Sequence, residues 1–326
     1  MSIFVVVWHM KGAGSSALFS NDAFSNHSYS LSDFINFQLL LLAVPIFILI
    51  STFLFSSQTR TIGYLFGKFK RFFLLFLFWV LTLKLWHFGY SGMLTSLPQS
   101  FSELVSFFLT GDDTVYYFFT SLIICLMISY LLKPQKTSIQ IVGFILSVIG
   151  LLALPKISLI TGNHTLSAFW NPLNFIPYSF AGLLLVRFEK ILKGKAFPIL
   201  LSIVLCALFA MLEWSYYTDR IFIIGQGFAL PAYTRVSVLF GAISSVIIAM
   251  NVKKEAGKLI KFMASYSLAL YILHPFLMKF VPQVFPFLAD TESLILIWIS
   301  ILSVIILSYL AAYLLKKYIL KTNLIF

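Results

Sequence analysis

LILIWISILSVIILSYLAAYLL, residues 294–315, runs for 22 residues without a charged side chain and is followed at once by Lys316 and Lys317. About 20 predominantly apolar residues in a helix cross the hydrocarbon core of a bilayer, and lipid tolerates only backbone that is hydrogen-bonded internally. The stretch is read as a transmembrane helix, and composition says that it is one of many. Of 326 residues, 60% are hydrophobic and only 10% charged, with a mean hydropathy of +0.97. A soluble domain carries about 25% charged residues to wet its surface. Most side chains here must face lipid or one another.

Working back from that helix, apolar stretches of span-like length lie at 36–56, 72–88, 114–132, 139–155, 175–188, 197–217, 234–251 and 262–280, the one at 175–188 being short. Ahead of them stands MSIFVVVWHM, apolar but too short to span. It has no basic start and no small-residue cleavage site, so it is not a signal peptide. The expected fold is all-α: a single polytopic membrane helix bundle over residues 1–326 with about ten transmembrane helices, the first truncated at its cytoplasmic end. Between two spans, SFSELVSFFL (100–109) has helical spacing and is expected to lie on the membrane surface.

The net charge of +12 would point to nucleic acid in a soluble protein. In a membrane protein, basic residues set orientation instead. Segments 57–71, 133–138, 189–196 with the adjoining Arg187, 252–261 and 316–326 carry 17 of the 23 basic residues, whereas the alternate segments and the span ends beside them hold 9 of the 11 acids. That alternation follows the positive-inside rule. It places those basic segments and the C-terminus in the cytoplasm of a plasma membrane (a bacterial inner membrane), with membrane lipid as a partner and no nucleic acid. Cys125 and Cys206 lie inside apolar runs and read as packing residues, with no disulfide expected.

Ionisable groups inside a bilayer are costly and therefore candidates for function. Here they are His9, Lys84, His87, Glu213 and His274. At about 1.5 Å per residue, His87 (16 residues beyond Arg71) and His274 (13 beyond Lys261) fall in the outer half of the membrane. His9, at the end of its stub, falls there too. For Lys84, His87 and Glu213 the plain reading is a polar group reaching water at the outer interface. His9 directly follows VVVW, and His274 precedes Pro275, which frees a backbone carbonyl and usually kinks a helix. A neutral imidazole is suited to take a proton from a hydroxyl. At the other face, SQTRTIGYLFGKFKR (57–71) interleaves Arg60, Lys68, Lys70 and Arg71 with aromatics. It reads either as an orienting loop on anionic lipid or as a cradle for a phosphate-rich cytosolic cofactor. No Walker or dinucleotide-binding pattern occurs. No metal site is indicated, because the histidines lack ligand spacing on one helix.

With those residues located, the chain resembles the acyltransferase-3 family of membrane-bound acyltransferases. FVVVWH (4–9) resembles the end of that family's first helix and its functional His, mapped onto His9. AVPIFILISTFLF (43–55) resembles the second helix, with Ser51-Thr52-Phe53 where a Ser-Gly-Phe step is usual. FGKFKRFFLLF (66–76) resembles the basic approach to the third helix, and FFLTGDDTVYYFFTSLI (107–123) a further motif that normally carries Trp near Tyr117. NPLNFIPYSFAGLLL (171–185) and SYSLALYILHPFLM (265–278) resemble two later helices, the second through Ser267, Tyr271, His274 and Pro275. An Arg that the family carries about eleven residues before the first-helix His has no counterpart in these residues.

The resemblance implies transfer of an acyl group, usually acetyl, from acetyl-CoA or another acyl-CoA to a hydroxyl of a surface polysaccharide or lipid-linked glycan. His9 would act as the base. Lys68, Lys70 and Arg71 would hold the cofactor's phosphates, and Ser51, Tyr117, Tyr271 and His274 would line or orient the site. The rival from another class is a permease or lipid-glycan flippase using the same polar residues as a pathway. It would be favoured by internal symmetry, which the sequence lacks.

Overall fold

The computed structural model describes residues 1–10, 12, 31–59, 61–218, 231–288 and 293–319. Arg60 and the acids Asp22, Asp219, Asp290 and Glu292, which entered the charge alternation, lie outside the described residues. Among the described residues all regular structure is helical. The principal helices are α1 (Ser2–His9), α2 (Leu31–Ser56), α3 (Ile62–Thr95), α4 (Phe101–Thr110), α5 (Tyr117–Leu132), α6 (Thr137–Thr161), α7 (Ile176–Arg187), α8 (Ala196–Thr218), α9 (Val236–Asn251), α10 (Lys258–Ser265), α11 (Ser267–Val284) and α12 (Leu294–Leu314). Among the described residues, five stretches are long and apolar enough to cross a membrane: α2, α3, α6, Ala196–Tyr216 of α8, and Leu294–Tyr318, which carries α12 onward. The α10–α11 pair, bent by 63°, makes a sixth if it is one span. The remaining apolar stretches fold as shorter helices, such as α5 and α9.

Helix α2 is the axis of the bundle. Its apolar run is the most deeply buried of the candidate spans, and it packs against α7, α5, α9 and α1. The contact with α7 is close because Gly182 has no Cβ: one placed there would meet the Thr52 side chain at 2.4 Å. Thr52 fills that notch and donates its hydroxyl to the Tyr178 carbonyl at 3.1 Å. The departure from Gly at position 52 is thus met by a Gly on the facing helix.

Three expected boundaries shift. The basic segment 57–71 is not a loop beyond Thr61, because α3 begins at Ile62, capped by the Thr61 hydroxyl, and carries Lys68, Lys70 and Arg71 on its first turns. The stretch 262–280 is not one straight helix. It breaks at Tyr266, whereas Pro275 sits within α11. Helix α6 continues through Pro155 to Thr161. By contrast α3 changes direction at Gly89 (φ 68°), one residue past the boundary read from hydropathy, and 101–110 is the short helix that its spacing suggested.

One end of the bundle is laced by hydrogen bonds from its basic and amide side chains. Lys133 donates to the Gln58 carbonyl, Arg187 to the carbonyls of Lys133 (3.2 Å) and Gln135 (3.1 Å), and Asn251 to that of Leu192 (3.3 Å). The connections after α2, α5, α7 and α9 therefore share this end, called here the basic end. That is the grouping expected from the alternation of charge.

Candidate active site

Helix α1 is eight residues long and is wrapped on several sides. Val5 packs into the main core, Val6 with Leu270, Val281 and Val304, and Val7 with Leu40 and Ile301. Three consecutive β-branched residues thus anchor it among α2, α11 and α12, and its last residue, His9, projects into a cavity of about 570 Å³. The cavity lies at the end of the bundle opposite the basic one. Its walls come from α1 (Val5, Trp8, His9), α2 (Ala43, Val44), α11 (Tyr271, His274, Met278, Lys279) and the connections carrying Asp113, Phe169 and Tyr233. His87 stands at its mouth, exposed.

The two imidazoles that sequence singled out meet there. The rings of His9 and His274 have centroids 5.3 Å apart, although the residues lie nearly a chain length from each other. His274 is fully buried, and its Nδ1 lies 2.7 Å from the Tyr271 carbonyl oxygen. A carbonyl only accepts, so Nδ1 carries the proton in the neutral ring and Nε2 keeps its lone pair. Nε2 has no partner among the described residues. A buried polar atom without a partner demands explanation, and facing a cavity it is a place for a ligand's hydroxyl or N–H.

Tyr117 and Tyr271 line the same cavity, and the Tyr271 hydroxyl donates to the Val115 carbonyl, fixing the wall between them. Tyr116 reinforces it through a 2.9 Å bond to the Ile272 carbonyl. Ser51 is not brought to the cavity. It sits two turns along α2 from Ala43, its hydroxyl bonded back to the Phe47 carbonyl at 2.8 Å. The basic trio is also divided. Lys68 lies 5.5 Å over the Tyr64 ring and, with Arg71 one turn on, is half-buried on the bundle side of α3. Lys70 is exposed, on the opposite face of α3 by the helical period. From Arg71 to His87 the helix rises about 24 Å, so cradle and cavity are at opposite ends.

The expectation of water-reaching polar groups fails at two of its three positions. Lys84 is buried, paired with Asp112 at 2.8 Å and bonded to the Ser96 carbonyl at 2.9 Å. This clamps the turn Gly111-Asp112-Asp113, three residues with positive φ (64°, 58° and 56°), against α3. Burial pushes the Asp112 carboxyl above its ordinary range, and the Lys84 ammonium pulls it back. Glu213 is also buried. It accepts from the Ser237 N–H at 3.1 Å and from the Ser237 hydroxyl.

Its surroundings hold the residue that sequence reading missed. Arg235 is wholly buried, donating to Gln38 Oε1 at 3.1 Å and to the Phe37 carbonyl, which lies in the π-helical stretch Ile35–Leu39 of α2. Gln38 Oε1 also accepts from Trp214 (3.3 Å) and Ser237 (3.4 Å), joining Arg235 to the Glu213 side of the network. Two residues before Arg235, Tyr233 enters the cavity wall. The signal was present in the sequence: Arg235 falls inside the stretch 234–251 read as a span.

Among the described residues no group of three His, Cys, Asp or Glu side chains is placed to hold a metal. No curated protein and no solved structure matches the chain. A family model described as an acyltransferase domain matches residues 2–316, a range that takes in both imidazoles, the cavity wall and the basic residues of α3. The chain belongs to the acyltransferase-3 family.

Proposed function

We propose that this protein moves an acyl group, acetyl in the first instance, from acyl-CoA at the basic end to a hydroxyl of a surface polysaccharide or lipid-linked glycan at the cavity end. In this reading about ten helices cross the bilayer: α1–α3, α5–α9, the α10–α11 pair and α12. The basic end and the C-terminus are cytoplasmic by the charge alternation. The single observation that carries the reading is the pair His9 and His274 in one cavity, with Nε2 of His274 unpartnered.

The acceptor hydroxyl oxygen attacks the thioester carbonyl while His9 takes its proton. A C–O bond forms, the C–S bond breaks, and the thiolate that leaves is protonated from the imidazolium. A positioned base of this kind contributes about 10²–10⁴-fold. Nε2 of His274 accepts a hydrogen bond from the acceptor and orients it. Lys68 and Arg71 hold the donor's phosphates by charge-assisted bonds. Lys70 belongs to the orientation signal instead.

The test is mass spectrometry of the envelope glycans from cells expressing each variant at matched membrane levels. His9→Gln keeps size and some hydrogen bonding but cannot act as a base, and it should abolish O-acylation. Full acylation in both His9→Gln and His274→Ala would overturn the mechanism.

A further inference from the structure

We propose that Phe47 and Phe118 form the constriction that decides which acyl group crosses this bundle. Below the cavity the free space narrows abruptly. A crevice of only about 10 Å³ continues from it, lined by Val5, Ala43, Val44, Phe47, Phe118, Leu268 and Tyr271, four of which also line the cavity. The edge of one phenyl ring meets the other, with Phe47 and Phe118 centroids 5.6 Å apart at 82°, and Phe118 lies 5.3 Å from Tyr271. These rings close the cavity toward the basic end. The next position on the same face of α2 is Ser51, one turn beyond Phe47.

The proposal rests on the reading that the donor arrives from the basic end, for its acyl group must then pass these rings to reach His9. Tightly packed aromatic edges admit a thin chain only by rotating aside; each added methylene lengthens the stretch that must be threaded between them before the thioester reaches the cavity, and a branch widens it. Leu268, the third wall, sits two residues past the break at Tyr266, so this wall starts at a bend and not in mid-helix. A short, unbranched acyl group is the one that passes at least cost. Phe47 and Phe118 are therefore determinants of donor specificity, acting before the reacting atoms meet.

The experiment uses the full chain with Cys125 and Cys206 replaced by Ser and a single reporter, Ala43→Cys, which borders both cavity and crevice. A membrane-impermeant maleimide is applied to intact cells or to inverted vesicles. The reporter should label from the cavity end only. In Phe47→Ala it should label from both ends, and Phe47→Leu gives an intermediate that guards against a misfolded variant. Acetyl-CoA at the basic end should slow cavity-end labelling several-fold and hexanoyl-CoA should not, whereas Phe47→Ala should respond to both. Equal labelling from both ends of the parent, or equal protection by the two donors, would overturn the proposal. One-ended labelling with no protection by either donor would remove the acyl-CoA reading, and the selection with it, while leaving the barrier in place.

Discussion

Replacing Arg235 by Gln should destabilise this protein far more than a surface change would. The guanidinium donates to Gln38 Oε1 and to the Phe37 carbonyl, and neither bond is open to solvent, since Arg235, Phe37 and Gln38 are all buried. Hydrogen bonds from a charged donor contribute about 1.5–3 kcal/mol each. Glutamine is two atoms shorter and can keep one of them at best. The Glu213 carboxylate, also buried, loses the cation of its network, and removing one partner of a buried charged set costs about 3–5 kcal/mol. The two accounts overlap, so the expected loss is about 3–5 kcal/mol in all. Arg235→Gln with Glu213→Gln removes both charges and should recover about 1–3 kcal/mol relative to the sum of the single changes. Unfolding by denaturant in micelles, followed by a thiol-reactive fluorophore at the fully buried Cys125 in a Cys206→Ser background, gives each value from midpoint and slope. A loss below about 1 kcal/mol for Arg235→Gln, or strict additivity of the pair, would refute the claim that this buried network holds the wall behind Tyr233.

Gly111→Ala should cost at least about 1–2 kcal/mol from its left-handed backbone alone. The added Cβ would also fall 2.1 Å from the Tyr117 nitrogen; unfolding measured as above, together with loss of acylation, checks it. Lys84→Met leaves the partly buried Asp112 without its cation and should cost about 3 kcal/mol, with the Gly111–Asp113 turn becoming accessible to protease in purified protein. Arg71→Ala should weaken acyl-CoA binding by about 1.5–3 kcal/mol while Lys70→Ala changes it little; equal losses in calorimetry would restore Lys70 to the cradle.

What could be read from sequence follows the range of the signal. Apolar run length is local: it found the middle of each helix and the turn of α3 at Gly89, but missed ten residues at the start of α3, six at the end of α6 and the break at Tyr266. Charge alternation is summed over many segments, and the lacing of Gln58, Lys133, Arg187 and Asn251 at one end agrees with it. Depth along a helix placed His9, His87 and His274 in one outer half, and the cavity gathers all three. Facing was not legible. Lys70 was grouped with Lys68 and Arg71 because they adjoin in sequence, but two residues on a helix point nearly apart. Ser51 was placed at the site by a motif, although the helical turn hands that role to Ala43 and Val44. Partners across the bundle were invisible too: nothing near Lys84 in the chain names Asp112, and nothing near Glu213 names Ser237 or Arg235.

The meeting of His9 with His274 has a consequence for how the protein is made. Chains leave the ribosome N-terminal end first, so the first imidazole waits in the membrane until α11 has emerged. Of the helices that clasp α1, α2 follows it directly in the chain, whereas α11 and α12 are synthesised last. Closing so long a loop makes this contact a late event in assembly. Partly synthesised chains would thus have the basic end of α3 in place before the two imidazoles are brought together. On the proposed mechanism, acyl transfer would begin only after α11 has been made.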